Sequence, residues 1–201
     1  MQTEETALIE RSQRGDLDAF NSLVLAYQGQ LYNLCLRMLG SPQAAEDATQ
    51  DAFIAAYRAV SRFRRGNFRA WLLRIAANAC YDELRRRRSR PQVPLEAPAG
   101  DDRPAAELPA PDEPLAQRAE RRELARCIQE GLTTLPPDQR LAVILRDVRG
   151  LAYEEIAEAS GASLGTVKSR ISRGRAALRD FLLARGELLP SRFRPSSEGS
   201  R

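Results

Sequence analysis

The stretch AYEEIAEASGASLGTVKSRISRGRAALRDFL, residues 152–182, holds two helix-forming runs separated by Gly161-Ala162-Ser163. That layout predicts a helix-turn-helix, with helices at about 152–160 and 164–184. Ile156 and Ala157 pack beneath the second helix, Gly161 permits the tight turn, and Val167 and Ile171 face back inward. Ser163 is placed to cap the second helix, whose outer side then presents Lys168, Ser169, Ser172 and Arg173. Residues 161–185 also carry Arg170, Arg175, Arg179 and Arg185 against a single acid, Asp180. An arginine-rich helical face neutralises phosphates and offers bidentate contacts to guanine in a major groove, whereas the plain alternative is a solvated face. One local rule is broken: Ala152 stands where Ser or Thr would complete a capping box with Glu155.

Working outward, Pro136-Pro137-Asp138 resets the chain before a helix with Leu141, Val143, Ile144 and Leu145, closed by Gly150, and residues 116–132 form a helix ahead of it. Further upstream, residues 92–114 (QVPLEAPAGDDRPAAELPAPDEP) are rich in proline and contain no aromatic group, so they read as a linker. Such a segment spans about 26 Å as a coil and at most about 75 Å when stretched, enough for two domains to reach DNA sites more than a helical turn apart.

Before the linker, Leu17, Phe20, Leu23, Val24, Tyr27, Leu31, Leu34, Cys35 and Met38 recur at steps of three and four, which predicts one long helix ended by Gly40-Ser41-Pro42. A second helix runs from about Ala44 to Val60, with Ser41 or Pro42 as its natural start. A basic, aromatic loop, Ser61 to Phe68, breaks the pattern at Gly66-Asn67, and a third helix covers Ala70 to Arg88 with Trp71, Leu72, Ile75, Ala79 and Leu84 inside. Aromatic groups interleaved with Arg62, Arg64, Arg65, Arg69 and Arg74 can stack unpaired bases. Phe63 and Phe68 suit that role, while Trp71 and Tyr57 read as buried anchors. The expectation is therefore an all-α chain of two small helical domains, at 1–91 and 115–185, joined by the 92–114 linker and followed by a disordered tail at 186–201.

Composition narrows the function. The 201 residues carry 31 basic and 27 acidic side chains, a balance too even to name a partner. Its distribution says more: residues 1–91 hold 14 basic and 10 acidic groups, 92–114 hold 1 and 6, and 115–201 hold 16 and 11, so two basic blocks flank an acidic bridge. Histidine is absent, which removes the commonest general base and metal ligand, and no phosphate-loop, dinucleotide or nucleophile-elbow pattern occurs. The adjacent acids Glu46/Asp47, Asp82/Glu83 and Glu154/Glu155 diverge on a helix and make poor metal sites. An enzyme is disfavoured, and no cofactor or metal is expected. Cys35, Cys80 and Cys127 are odd in number and far apart, which points to a reducing cytoplasm, with Cys35 expected to be buried. No apolar run is long enough for membrane insertion, and residues 1–10 are polar.

Five segments together resemble the extracytoplasmic-function (ECF, group IV) sigma factors of bacterial RNA polymerase. They are GDLDAFNSLVLAYQGQLYNLCLRML, AEDATQDAFIAAYRAVSRF, NFRAWLLRIAANACYDELRRR, LPPDQRLAVILRDVRGLAYEEIA and GTVKSRISRGRAAL. The resemblance implies a four-helix sigma-2 domain and a sigma-4 helix-turn-helix domain. The partners it implies are core RNA polymerase (the beta-prime clamp helices and the beta flap), promoter DNA and an anti-sigma factor. It assigns Glu46, Asp47, Gln50, Asp51 and Phe53 to polymerase binding. It assigns Phe63, Arg64, Asn67, Phe68, Arg74 and Asn78 to the minus-ten element, with Phe63 and Asn78 at a flipped-base pocket. Lys168, Ser169, Arg170, Ser172, Arg173 and Arg175 would read the minus-thirty-five element. The acidic linker would thread a polymerase channel, or else serve as a tether. The competing reading is a stand-alone helix-turn-helix transcriptional regulator.

Overall fold

A computed structural model describes residues 2–64, 66–89 and 115–185. Arg65, the expected linker and the expected tail lie outside the described residues. The order is α1 (Gln2–Gln13), α2 (Leu17–Leu39), α3 (Pro42–Ala59), a 3-10 turn (Val60–Arg62), α4 (Phe68–Ser89), α5 (Leu115–Thr134), α6 (Pro137–Val143) continued by a π turn (Ile144–Val148), α7 (Tyr153–Ser160) and α8 (Leu164–Ala184). No strand occurs among the described residues, as the all-α expectation requires. The opening helix α1 supplies the fourth helix that the resemblance implies for this half, although its polar, acidic sequence shows too little periodicity to reveal it; it packs on α2 and on the 3-10 turn.

Each helix end has a local cause. Asp16 accepts the Ala19 N–H at the start of α2, and this bond, followed by Arg11 at 2.8 Å, holds its carboxyl below the usual carboxylate range. Gly40 closes α2 in the left-handed region (φ 69°), its N–H donating to Leu36 O, and Ser41 then caps α3 with Pro42 in the first turn.

The core of the first four helices rests on a division of labour between large and small side chains. Leu31, Leu34, Cys35 and Met38 of α2 and Leu72, Leu73, Ala76, Ala77 and Cys80 of α4 are buried, and α3 meets them with Ala45, Ala48, Ala52 and Ala56. An alanine stripe lets helix axes approach closely. It also corrects two readings: Tyr57, expected to be buried, is 38% exposed, and Trp71, Ile75, Ala79 and Leu84 flank the inward stripe of α4 instead of forming its centre. Cys35 is buried as expected, and so are Cys80 and Cys127.

In the second half, Leu132, Leu141, Ile144, Leu145, Leu151, Ile156, Val167 and Ile171 form the core. Gly174 lets α8 pass against α6: a Cβ there would stand 2.6 Å from Val143 Cγ2 and 3.2 Å from the Gln139 carbonyl. The two halves also meet each other. Helix α7 packs along α4 and α5 against α2, so the buried apolar cluster is continuous across both halves.

Candidate nucleic-acid interface

The helix-turn-helix is assembled from its turn. Gly161 takes φ 65°, a conformation that suits glycine, and its N–H donates to Ala157 O. Ser163 Oγ accepts the Thr166 N–H at 3.2 Å and fixes the start of α8. Ala152 supplies no side-chain cap, yet Glu155 Oε2 accepts the Ala152 N–H at 2.8 Å, the half of a capping box that needs no hydroxyl.

With Val167, Ile171 and Gly174 buried, the opposite face of α8 exposes Lys168, Ser172 and Arg173. These three have open solvent before them. The other expected readers of the upstream element are already engaged. Arg170 Nε pairs with Asp138 at 2.9 Å, Arg175 makes a two-pronged contact with Asp147, and Ser169 Oγ donates to Thr166 O. The Asp147 bond also raises the pKa of Arg175 above its ordinary value. The sequence could not show this, because Asp138 and Asp147 lie on and just after α6, far from α8 along the chain.

The second expected surface lies at the start of α4. Asn67 Oδ1 accepts the Ala70 N–H and so caps α4, while its Nδ2 donates to Glu155 Oε1 of α7 at 2.7 Å. Phe63, Phe68 and Trp71 pack against one another with ring centroids 5.1 to 5.3 Å apart, and Phe63 and Tyr27 each meet Phe68 edge-on. Phe68 is only 4% exposed, so its role here is to anchor the loop; this corrects the expectation that it stacks on a base. Phe63 is half-buried, and its carbonyl accepts Gln13 Nε2 from α1 at 2.7 Å. Arg64, Arg74 and Asn78 are exposed, and Asn78 opens on a groove with Tyr81, Asp82, Arg88 and Pro137.

A third surface runs along α3. Glu46, Asp47, Gln50 and Asp51 are exposed, and Phe53 is half-buried. Beside them Ile54 and Tyr57 are also exposed, giving an acidic face with apolar groups in it. Sequence reasoning missed those two. The signal was the alanine spacing at 45, 48, 52 and 56, which turns them outward.

No helix among the described residues is long and apolar enough to cross a membrane. Two family models match the chain: Sigma-70 region 2 over residues 23–90, and Sigma-70, region 4 over residues 125–178. On this fold, the two matches identify a transcription initiation factor of the sigma-70 type.

Among its relatives, the RNA polymerase sigma-H factor of Pseudomonas aeruginosa is 38% identical, over 88% of this chain and 93% of its own length. The ECF RNA polymerase sigma factor SigW of Bacillus subtilis is 36% identical, over 87% and 94%. SigE of Mycolicibacterium smegmatis is 41% identical over 83% of this chain, which spans 62% of that longer protein. The chain belongs to the ECF RNA polymerase sigma factors. Among solved structures, CnrH in complex with the cytosolic domain of CnrY superposes with a TM-score of 0.65 at 29% identity, covering 90% of this chain and 98% of that one. The sigma factor RpoE in complex with the anti-sigma factor NepR from Bartonella quintana gives 0.63 at 29%, over 81% and 96%.

Proposed function

We propose a division of labour in which residues 1–91 hold core RNA polymerase and read the minus-ten element, while residues 115–185 read the minus-thirty-five element and residues 92–114 join them. The observation that carries this reading is the exposed set Lys168, Ser172 and Arg173 on the outer side of a capped recognition helix. A cation, a hydroxyl and a guanidinium at steps of four and one suit base edges and flanking phosphates in a major groove. Arg170 and Arg175 exchange their aspartate partners for phosphates, and Ser169 supports the helix start.

On the first half, the acidic and apolar face of Glu46, Asp47, Gln50, Asp51 and Phe53, widened by Ile54 and Tyr57, takes the beta-prime clamp helices. The residues around the α4 start, Phe63, Arg64, Asn67, Arg74 and Asn78, take the opened minus-ten strand. The second half meets the beta flap, and the chain works in the cytoplasm under an anti-sigma factor, as the relatives in complex with NepR and CnrY suggest. Start-site mapping with purified core polymerase tests the assignment: Lys168→Ala and Arg173→Ala reduce initiation from promoters with an upstream element, and Asp47→Ala/Asp51→Ala reduces binding to polymerase. Unchanged binding and unchanged start sites in all four positions would refute it.

A further inference from the structure

Arginine does not shed its proton near neutrality, so a guanidinium drawn out of water needs an anion or a set of acceptors around it. Elsewhere in this protein they are supplied. Arg170 Nε pairs with Asp138 at 2.9 Å, and Arg146 lies over the Tyr153 ring and donates to the Leu151 carbonyl at 2.8 Å. Arg140 donates to the Met38, Thr133 and Leu135 carbonyls.

One cluster, on the seam between the two halves, breaks this rule. Arg37 near the end of α2, Arg69 in the first turn of α4 and Arg149 just after the π turn are each half-buried. Arg69 links the elements: its Nη2 donates to the Arg149 carbonyl at 3.2 Å and its Nε to Gln30 Oε1 at 3.1 Å. Gln30 and Arg37 stand two turns apart on one face of α2, and the π turn that leads into Arg149 packs on the same helix.

Among the described residues no carboxylate pairs with any of the three, and the Arg37 and Arg149 side chains donate to nothing. Glu5, which has Tyr27 as a neighbour in common with Arg69, is taken by the Tyr27 hydroxyl. Nε of Arg149 is buried without an acceptor. Burial first, then the positive charges of Arg69 and Arg37, lowers the Arg149 pKa from its ordinary value. Helix α4 adds to the field, since no acid stands in its first turn to offset its positive end. The space is accessible as well: beside Arg149, a Cβ on Gly150 would meet nothing within 4 Å.

We infer that Arg37, Arg69 and Arg149 form a binding site for a phosphate group. A carboxylate would bring one negative charge against three positive ones, whereas a phosphate brings about two, with oxygens that accept from several directions at once. Arg149 offers its unused donors, Arg37 its whole guanidinium, and Arg69 the Nη1 that Gln30 and the Arg149 carbonyl leave spare. None of the three is among the residues assigned above to polymerase or to DNA, so the site stands or falls apart from that assignment.

The test melts the full chain, followed by circular dichroism, in sodium chloride at fixed ionic strength with inorganic phosphate, pyrophosphate or acetate added. Pyrophosphate at about a hundredfold above half-saturation is expected to raise the melting point by about 5 °C, and acetate to leave it unchanged. In chloride alone Arg149→Gln is expected to melt above the parent chain, because a like charge has gone, and pyrophosphate to give it no further rise. That gain separates loss of the site from damage to the fold. Arg58→Gln, which removes the same charge from the exposed side of α3, is expected to keep the full rise.

A phosphate group reaches the site on a free compound or on a nucleic-acid backbone, and a short oligothymidylate separates the two. A rise confined to pyrophosphate names the first source and a rise confined to the oligonucleotide the second, each lost in Arg149→Gln. The site is overturned by no rise with any of these phosphates, by a rise that survives Arg149→Gln, or by an equal rise with acetate. A lower melting point for Arg149→Gln in chloride overturns it too, since the protein itself would then be satisfying that guanidinium.

Discussion

Arg173 and Arg179 sit on the same helix, and their surroundings separate them. Arg173 faces solvent beside Ser172 on the outer side of α8, whereas Arg179 is paired with Asp180 at 3.0 Å. Replacing Arg173 by alanine is expected to cost about 1 to 3 kcal/mol of discrimination between matched and scrambled upstream DNA. Arg179→Ala should weaken both equally and lessly; equal losses for the two variants on both DNAs would contradict the base-reading role. Gly174 tests packing instead. A methyl group there meets Val143 and the Gln139 carbonyl, so Gly174→Ala is expected to destabilise by about 1 to 3 kcal/mol from overpacking, less about 1 kcal/mol regained from helix propensity. Thermal melting reads this as a fall of a few degrees, and an unchanged melting point would show that α8 can move away from α6. The thiols provide a third check at this scale. Cys35 and burial together push the Cys80 thiol up, and all three cysteines are buried. Thiol reagents are expected to leave them untouched in the folded protein and to modify all three in denaturant; prompt modification of the native chain would contradict the packing.

At the scale of elements, the helices were readable wherever caps and periodicity agreed. The Gly40-Ser41-Pro42 stop, the Gly161 turn and the Ser163 cap were each visible in sequence and each have the geometry their chemistry requires. Reading failed where the apolar pattern was ambiguous. In α3 the large side chains attract attention, but alanines fill the core and Ile54 and Tyr57 turn outward. In α4 nearly every residue between Trp71 and Cys80 is apolar, so periodicity could not select the inward stripe. Helix α1 lacks such a stripe, so only the family resemblance pointed to a fourth helix in this half. The caps make predictions of their own. Ser163→Ala is expected to cost about 0.5 to 2 kcal/mol in thermal unfolding and to loosen the helix that carries Lys168 and Arg173. The Asp16 cap has a lowered pKa, so its contribution is complete above the ordinary carboxylate pKa of about 4 and is lost as pH falls through the lower folded value. Asp16→Asn should therefore flatten the acid limb of the stability curve, and an unchanged limb would show that the cap is not titrating there.

Across the whole molecule, the feature no local pattern could reveal is the seam. Asn67 meets Glu155, Gln129 meets the Arg37 carbonyl and Arg140 meets the Met38 carbonyl, pairs separated by 88, 92 and 102 positions. Sequence reading gave Asn67 one role, on DNA, and missed two structural ones: the local cap it gives the start of α4 through the Ala70 N–H, and the α7 carboxylate it touches, which only folding brings near. The candidate surfaces were therefore legible as residue types and only partly as available groups. Arg170 and Arg175 illustrate the same point within the second half, each cation being held by an aspartate from α6 or the turn after it. The most direct test is run-off transcription from a genomic promoter library with purified core polymerase, with and without the full chain, sequencing the RNA 5′ ends. The account predicts new start sites that share two upstream motifs and that weaken with Arg173→Ala. A chain that shifts DNA in a gel yet neither binds core polymerase nor creates start sites would contradict it.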